Sequence, residues 1–97
     1  MRTLVTIEMD TEAGNKAATN GELQKLMATL FDDLKPEAAY FAPLDGHRAA
    51  YIVFDMQDPS QMVEISEPLF QTCEAKVSFA PIMDIEDLRK GLEKVGA

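Results

Sequence analysis

The side chains here with the means to do chemistry are few: Glu8, His47, Tyr51, Ser78, Thr6 and Cys73. His47 is the single histidine. Its side-chain type alone titrates near neutrality without help, so an acid–base step would look to it first. It follows Asp45-Gly46 at the start of a predicted strand, and the sequence puts no partner beside it. A solvated turn histidine next to Arg48 is the plainer account. Glu8 lies two residues beyond Thr6 in an alternating segment. Partial burial disfavours the charged form of a carboxylate, and this is one way such a group becomes a general acid or base. A salt bridge to Lys76, or an exit into solvent, would make Glu8 structural instead. Thr6, Tyr51 and Ser78 offer hydroxyls that would line a ligand cavity, although a tyrosine in a sheet often just packs its ring and hydrogen-bonds at its tip. Cys73 precedes Glu74. An acidic neighbour opposes thiolate formation, so Cys73 is expected to be a small core residue.

The elements that would hold these groups follow from periodicity. Thr3 to Met9 alternates and is rich in β-branched residues, which predicts a strand with Thr3, Val5, Ile7 and Met9 on one face and Leu4, Thr6 and Glu8 on the other. From Thr11 to Leu34 apolar residues recur at helical spacing through Leu23, Leu26, Met27, Leu30 and Leu34. Gly21 interrupts this stretch, and Thr19-Asn20-Gly21-Glu22 has capping-box spacing, so either a broken helix or a loop and a helix fits. Pro36 ends it. Glu37 to Pro43 predicts a second strand, Leu44-Asp45-Gly46-His47 a tight turn, and Arg48 to Met56 a third strand. Asp58-Pro59-Ser60-Gln61 opens a helix with Met62, Ile65, Leu69 and Phe70 on its apolar side. Pro68 predicts a kink or a division there. Lys76 to Met83 is a fourth strand, at an edge by virtue of Pro81. Asp84 caps a last helix carrying Ile85, Leu88, Leu92 and Val95, closed by Gly96.

The order βαββαβ, plus a short C-terminal helix, predicts an α+β, ferredoxin-like fold. Its four-stranded antiparallel sheet would run in the order 4-1-3-2, with the main helices on one face. Val5, Ile7, Ile52, Phe54, Val77 and Phe79 suit the helix-covered face. The opposite face would carry Leu4, Thr6, Glu8, Ala49, Tyr51, Val53, Asp55, Lys76, Ser78 and Ala80, with either Tyr40 or Phe41. That mixture is too apolar for open solvent and too polar for a core. A second sheet enclosing a partly polar cavity would account for it. At 97 residues the chain supports one core, here taken as one domain over 1–97, so the second sheet would come from another copy. An isologous homodimer through the open face is the expectation.

Composition narrows the function classes. Apolar residues make up 46% and charged residues 27%, as in ordinary globular domains. Nine Lys/Arg against seventeen Asp/Glu leave a net charge of −8, a poor match for nucleic acid or an anionic membrane. One cysteine excludes an internal disulfide or a CxxC knuckle, and one histidine excludes a multi-histidine metal site. The acidic groups lack calcium-loop spacing and the glycines form no phosphate cradle, so no metal and no cofactor are expected. Six methionines, Met9, Met27, Met56, Met62 and Met83 among them, fall at core-like positions. The apolar runs are too short for a bilayer and the N-terminus turns acidic too early for a signal core, which makes a cytoplasmic location the expectation.

From TLVTIEM to APIMDIEDLRKGL, and above all in PEAAYFAPLDGHRAAYIVFDM and DPSQMVEISEPLF, the chain resembles small bacterial members of the dimeric α+β barrel superfamily. In that superfamily two ferredoxin-like sheets close into one barrel, and its members include cofactor-free monooxygenases and muconolactone isomerases. The resemblance implies the fold and the dimer. No catalytic signature matches residue by residue, so it implies no activity. The favoured expectation is a dimeric binding or structural module with a partly apolar cavity for a small apolar ligand. The alternative is a cofactor-independent monooxygenase- or isomerase-like enzyme in which Glu8 or His47 moves protons while Tyr51 and Ser78 position a small organic substrate. A regulatory domain that meets a partner protein through its acidic surface is a third.

Overall fold

The computed structural model describes residues 1–96; Ala97, the last residue of the expected domain, lies outside them. The elements run β1 (Arg2–Glu8), α1 (Thr11–Asn20), α2 (Glu22–Leu34), β2 (Ala38–Phe41), β3 (Ala49–Asp55), α3 (Gln61–Cys73), β4 (Lys76–Pro81) and α4 (Ile85–Lys94). All strand pairs are antiparallel, and the sheet order is β2-β3-β1-β4, the expected order read from its other edge. The fold is α+β and compatible with a ferredoxin-like arrangement. Its order departs from a strict βαββαβ because the first crossover is two helices and α4 follows the last strand.

The division between α1 and α2 falls at Gly21, whose φ of 85° lies in the left-handed region that favours glycine. The expected capping box there does not form. Thr19 Oγ1 instead donates back to the Asn15 carbonyl at 2.8 Å, and Asn20 Oδ1 accepts from Glu22 N at 2.9 Å. A threonine still inside α1 has a carbonyl one turn back within reach, and that bond competes with capping. β2 is shorter than the Glu37–Pro43 expectation and ends at Phe41. Pro68 neither divides nor ends α3. Its missing donor falls on the exposed side, where water can serve the orphaned carbonyl. α3 begins at Gln61 with Ser60, not the expected Asp58, at its N-cap and no side-chain cap bond. Gln61 Oε1 does reach back, accepting from Gln57 N at 2.7 Å and Asp58 N at 3.3 Å, while Asp58 Oδ1 accepts from Ser60 N at 2.8 Å in a turn before the helix.

The core lies between one face of the sheet and α1, α2 and α3. Val5, Ile7, Ile52 and Phe54 are sealed there against Ala17, Leu30, Ile65 and Leu69, with Val77 and Phe79 packed at the margin. The buried side of α3 is Ile65, Ser66, Leu69 and Cys73, so the expected Met62 and Phe70 are displaced from it and exposed. Met83 is also exposed, whereas Met9 is buried and Met56 and Met27 are partly so. The thiol of Cys73 is pushed up by burial and, secondarily, by the charge of Glu22 rather than that of the adjacent Glu74.

α4 is different in kind. Asp84 and Asp87 close a capping box at its start, yet the helix buries no residue, and Ile85, Leu88, Leu92 and Val95 are exposed. Arg2 ties its base to the sheet, donating to Glu37 at 2.6 Å and to Asp84 at 3.3 Å. The radius of gyration, 15.4 Å, exceeds the about 13 Å expected of a compact chain this long.

Three outcomes are expected. Phe54→Ala should cost about 3–5 kcal/mol in urea unfolding, since it empties a sealed site. Gly21→Ala should cost about 1–2 kcal/mol through backbone strain alone, because nothing lies within 4 Å of an added Cβ. Acid should loosen α4. The Asp84 carboxyl is held below its usual range, first by the Asp87 backbone N–H and then by Arg2. A depressed carboxylate contributes stability above the ordinary range near about 3.9 and loses it as pH falls through its folded value. Helical circular dichroism should therefore drop on acidification, and less so in Asp84→Asn.

Candidate functional site

The open face of the sheet is assembled by register. Ser78, Thr6, Tyr51 and Tyr40 are direct cross-strand partners in sequence, one from each strand, so their side chains form a single row across the sheet. Strands about 4.8 Å apart make this row of hydroxyls roughly 14 Å long. None of the four hydroxyls makes a hydrogen bond within the described chain. Above the row stand Ala38, Val53, Leu4 and Ala80, which are apolar. Below it stand Ala49, Glu8 and Lys76. The second-strand aromatic on this face is Tyr40, 67% exposed, while Phe41 turns to the helix side and meets the Phe31 ring at 6.2 Å.

At the lower end of this face the two acid–base candidates come together. Asp45 and Gly46 have φ of 51° and 80°, the pair of positive values of a type I′ turn, closed by Leu44–His47 backbone bonds of 2.9 and 3.0 Å. That turn sets His47 on the same side of the sheet as Ala49 and next to the end of β1. Its Nδ1 lies 3.0 Å from Glu8 Oε2, with Glu8 16% exposed and His47 42% exposed. Lys76, the cross-strand neighbour of Glu8, forms no ion pair with it among the described residues. The sequence contained no sign of this pairing, since the two residues are far apart in the chain and meet only through the β1–β3 register. A small cleft of about 110 Å³ surrounds the pair, walled by Met9, Asp10, Glu74 and Lys76. A carboxylate that accepts from Nδ1 fixes the ring and leaves Nε2 as the working nitrogen, the arrangement of a general base.

The expected site residues thus fall into two adjoining groups: Thr6, Tyr51 and Ser78 in the hydroxyl row, and Glu8 with His47 at its end. Tyr40 joins them. On the other side of the sheet a second cavity, about 420 Å³, lies under α2 and includes Arg48 in its lining. Sequence reasoning missed it. The signal was present, because Arg48 alternates with Ala50, Ile52 and Phe54 and so puts a charge on an otherwise apolar face. No protein-family model matches the chain, and no curated protein matches it.

The pairing has a spectroscopic consequence. In its neutral form His47 should be the Nδ1–H tautomer in long-range ¹H–¹⁵N spectra. Glu8→Ala should return it to the commoner Nε2–H form. An Nε2–H pattern in the unaltered protein would show the contact absent in solution.

Proposed function

We propose that this protein is a binding module that works as a homodimer of the dimeric α+β barrel kind. Two copies would face each other through their open sheet faces and hold a small, partly apolar ligand between them. The observation that carries this reading is the composition and exposure of that face. Leu4, Val53 and Tyr51 are only half-buried and Tyr40 is exposed, in a row-by-row pattern of apolar and hydroxyl groups with no cover from the chain itself. A two-fold axis lets one such patch cover its twin, apolar rows sealing and hydroxyl rows lining the space between. The four hydroxyls, unengaged among the described residues, would orient the ligand, as a few placed polar groups do in apolar pockets. No nucleic acid and no membrane is part of this reading. No helix is long and apolar enough to cross a membrane among the described residues.

The Glu8–His47 pair favours a second reading, a cofactor-independent enzyme of the isomerase or monooxygenase type. His47 Nε2 would take a proton from a carbon or phenolic acid, Glu8 would hold the ring and balance its charge, and Tyr51 and Ser78 would position the substrate. Solvent deuterium entering a carbon-acid substrate, and lost in His47→Gln, would favour this reading over simple binding.

Sedimentation tests the main proposal. The protein should be a dimer at micromolar concentration. Val53→Asp, which puts an unpaired charge in the buried centre, should weaken the dimer about a hundredfold or more while leaving helical circular dichroism intact. A monomeric unaltered protein would overturn the proposal. Tyr51→Ala and Glu8→Ala should alter ligand binding more than Asp33→Ala, which changes only the exposed surface of α2.

A further inference from the structure

The cavity under α2 is built from one chain and lies on the opposite side of the sheet from the hydroxyl row. Its walls are Met9, Leu23, Met27, Phe41, Pro43 and Ala50, all apolar, with Arg48 the one charged lining residue. At about 420 Å³ it is within the range of small-molecule sites. At the roughly 30 Å³ that a water occupies in the liquid, it has room for on the order of a dozen non-hydrogen atoms. The small side chain of Ala50, where β3 next carries Ile52 and Phe54, leaves this space open.

Arg48 is exposed to solvent and brings the cavity its one positive charge. Its guanidinium makes no ion pair and no hydrogen bond among the described residues. It lies against α1 at Gly14, where a Cβ would come within 3.0 Å of Nη1. Gly14 stands in the first turn of α1, which Asp10 caps and where Glu12 adds a second acidic group. The donors of Arg48, engaged by no side chain among the described residues, are open to an arriving anion that also fits the apolar walls. Asp10 caps the helix through Oδ2, which accepts from Ala13 N at 2.9 Å, and forms no ion pair with Arg48 among the described residues. One planar fork and no second cation match a monocarboxylate better than a phosphate dianion. The two methionines adapt their shape and favour contact with an aromatic ring.

We infer that this cavity is a binding site for a small amphipathic monocarboxylate, an aromatic or branched-chain acid, with its carboxylate on Arg48 and its apolar part against Met9, Leu23, Met27 and Phe41. The site is independent of the dimer and of the Glu8–His47 pair. The net charge of −8 repels free anions, so a preference for the acid over its neutral amide has to come from Arg48.

The test is titration of 3-phenylpropionate and of 3-phenylpropionamide into protein carrying labelled methionine methyls. The acid should bind about tenfold or more tightly than the amide, the gain expected of a charge-assisted hydrogen bond. The Met9 and Met27 methyl signals should move with it. Arg48→Gln should remove the difference between acid and amide, Arg48→Lys should retain part of it, and Leu23→Trp should block both by filling the space. Equal binding of acid and amide by the unaltered protein would overturn the inference without recourse to any variant. So would shifts confined to the Tyr51 face, or no binding at millimolar concentration.

Discussion

The pairing of β1 on both its edges is the constraint on which the rest of the molecule depends. β1 is central, bonded to β3 along seven residues and to β4 along six. With both neighbours fixed, the two-residue period of the strand leaves no freedom over which side chain faces where. Val5 and Ile7 are fully buried under the helices, and Leu4, Thr6 and Glu8 must then face away. A slip of one residue would bury Glu8 in the core and expose Ile7. Neither outcome is tolerable, since an unpaired carboxylate in that core costs more than any loop rearrangement saves. The hydroxyl row and the placement of Glu8 beside His47 are therefore consequences of hydrophobic burial on the opposite side.

The same alternation explains why one end of the sheet carries two unlike cavities. His47 and Arg48 are consecutive, so they point to opposite faces. His47 turns to Glu8 and the open face; Arg48 turns toward α1 and the cavity under α2. The type I′ turn just before them fixes both at once. A substitution that disturbs Asp45 or Gly46 would accordingly affect both sites through the start of β3, whereas changes in β4 bear on the open face alone.

The parts of this structure that were legible in the sequence are those set by short-range pattern. The alternation of Thr3–Met9 and Arg48–Met56 placed both faces of the sheet, and Asp-Gly at 45–46 located the hairpin. The face on which Tyr40 rather than Phe41 would lie was open, because β2 is short and its register is set by β3, not by its own sequence. Thr19 and Glu22 had capping-box spacing, but the competing Thr19–Asn15 bond depends on where α1 ends. The rotation of α3 escaped because Met62 and Phe70 are apolar, while the buried position is held by Ser66, a residue whose type argues for the surface. Glu8 and His47 were each visible as candidates. Their contact was not, since it arises from a register spanning 39 positions.

α4 bears most directly on the proposed dimer. A ten-residue helix is marginal in water on its own, because nucleation costs more than a few backbone bonds return. The capping box, the Arg2–Asp84 ion pair and the Arg89–Glu86 pair at 2.6 Å support it, but exposed pairs of this kind each contribute little. What a short amphipathic helix ordinarily relies on is burial of its apolar side, and here Ile85, Leu88, Leu92 and Val95 all remain exposed. Among the described residues, the stripe of α4 and the upper row of the open sheet face are two of the exposed apolar surfaces. Arg2 links them, since it stands in β1 and holds both Glu37, at the lead-in to β2, and Asp84, at the cap of α4. A second copy laid over the sheet would bring its own helix arm to the same edge. One dimer would then cover both surfaces, whereas a partner over only one of them would leave the other in water.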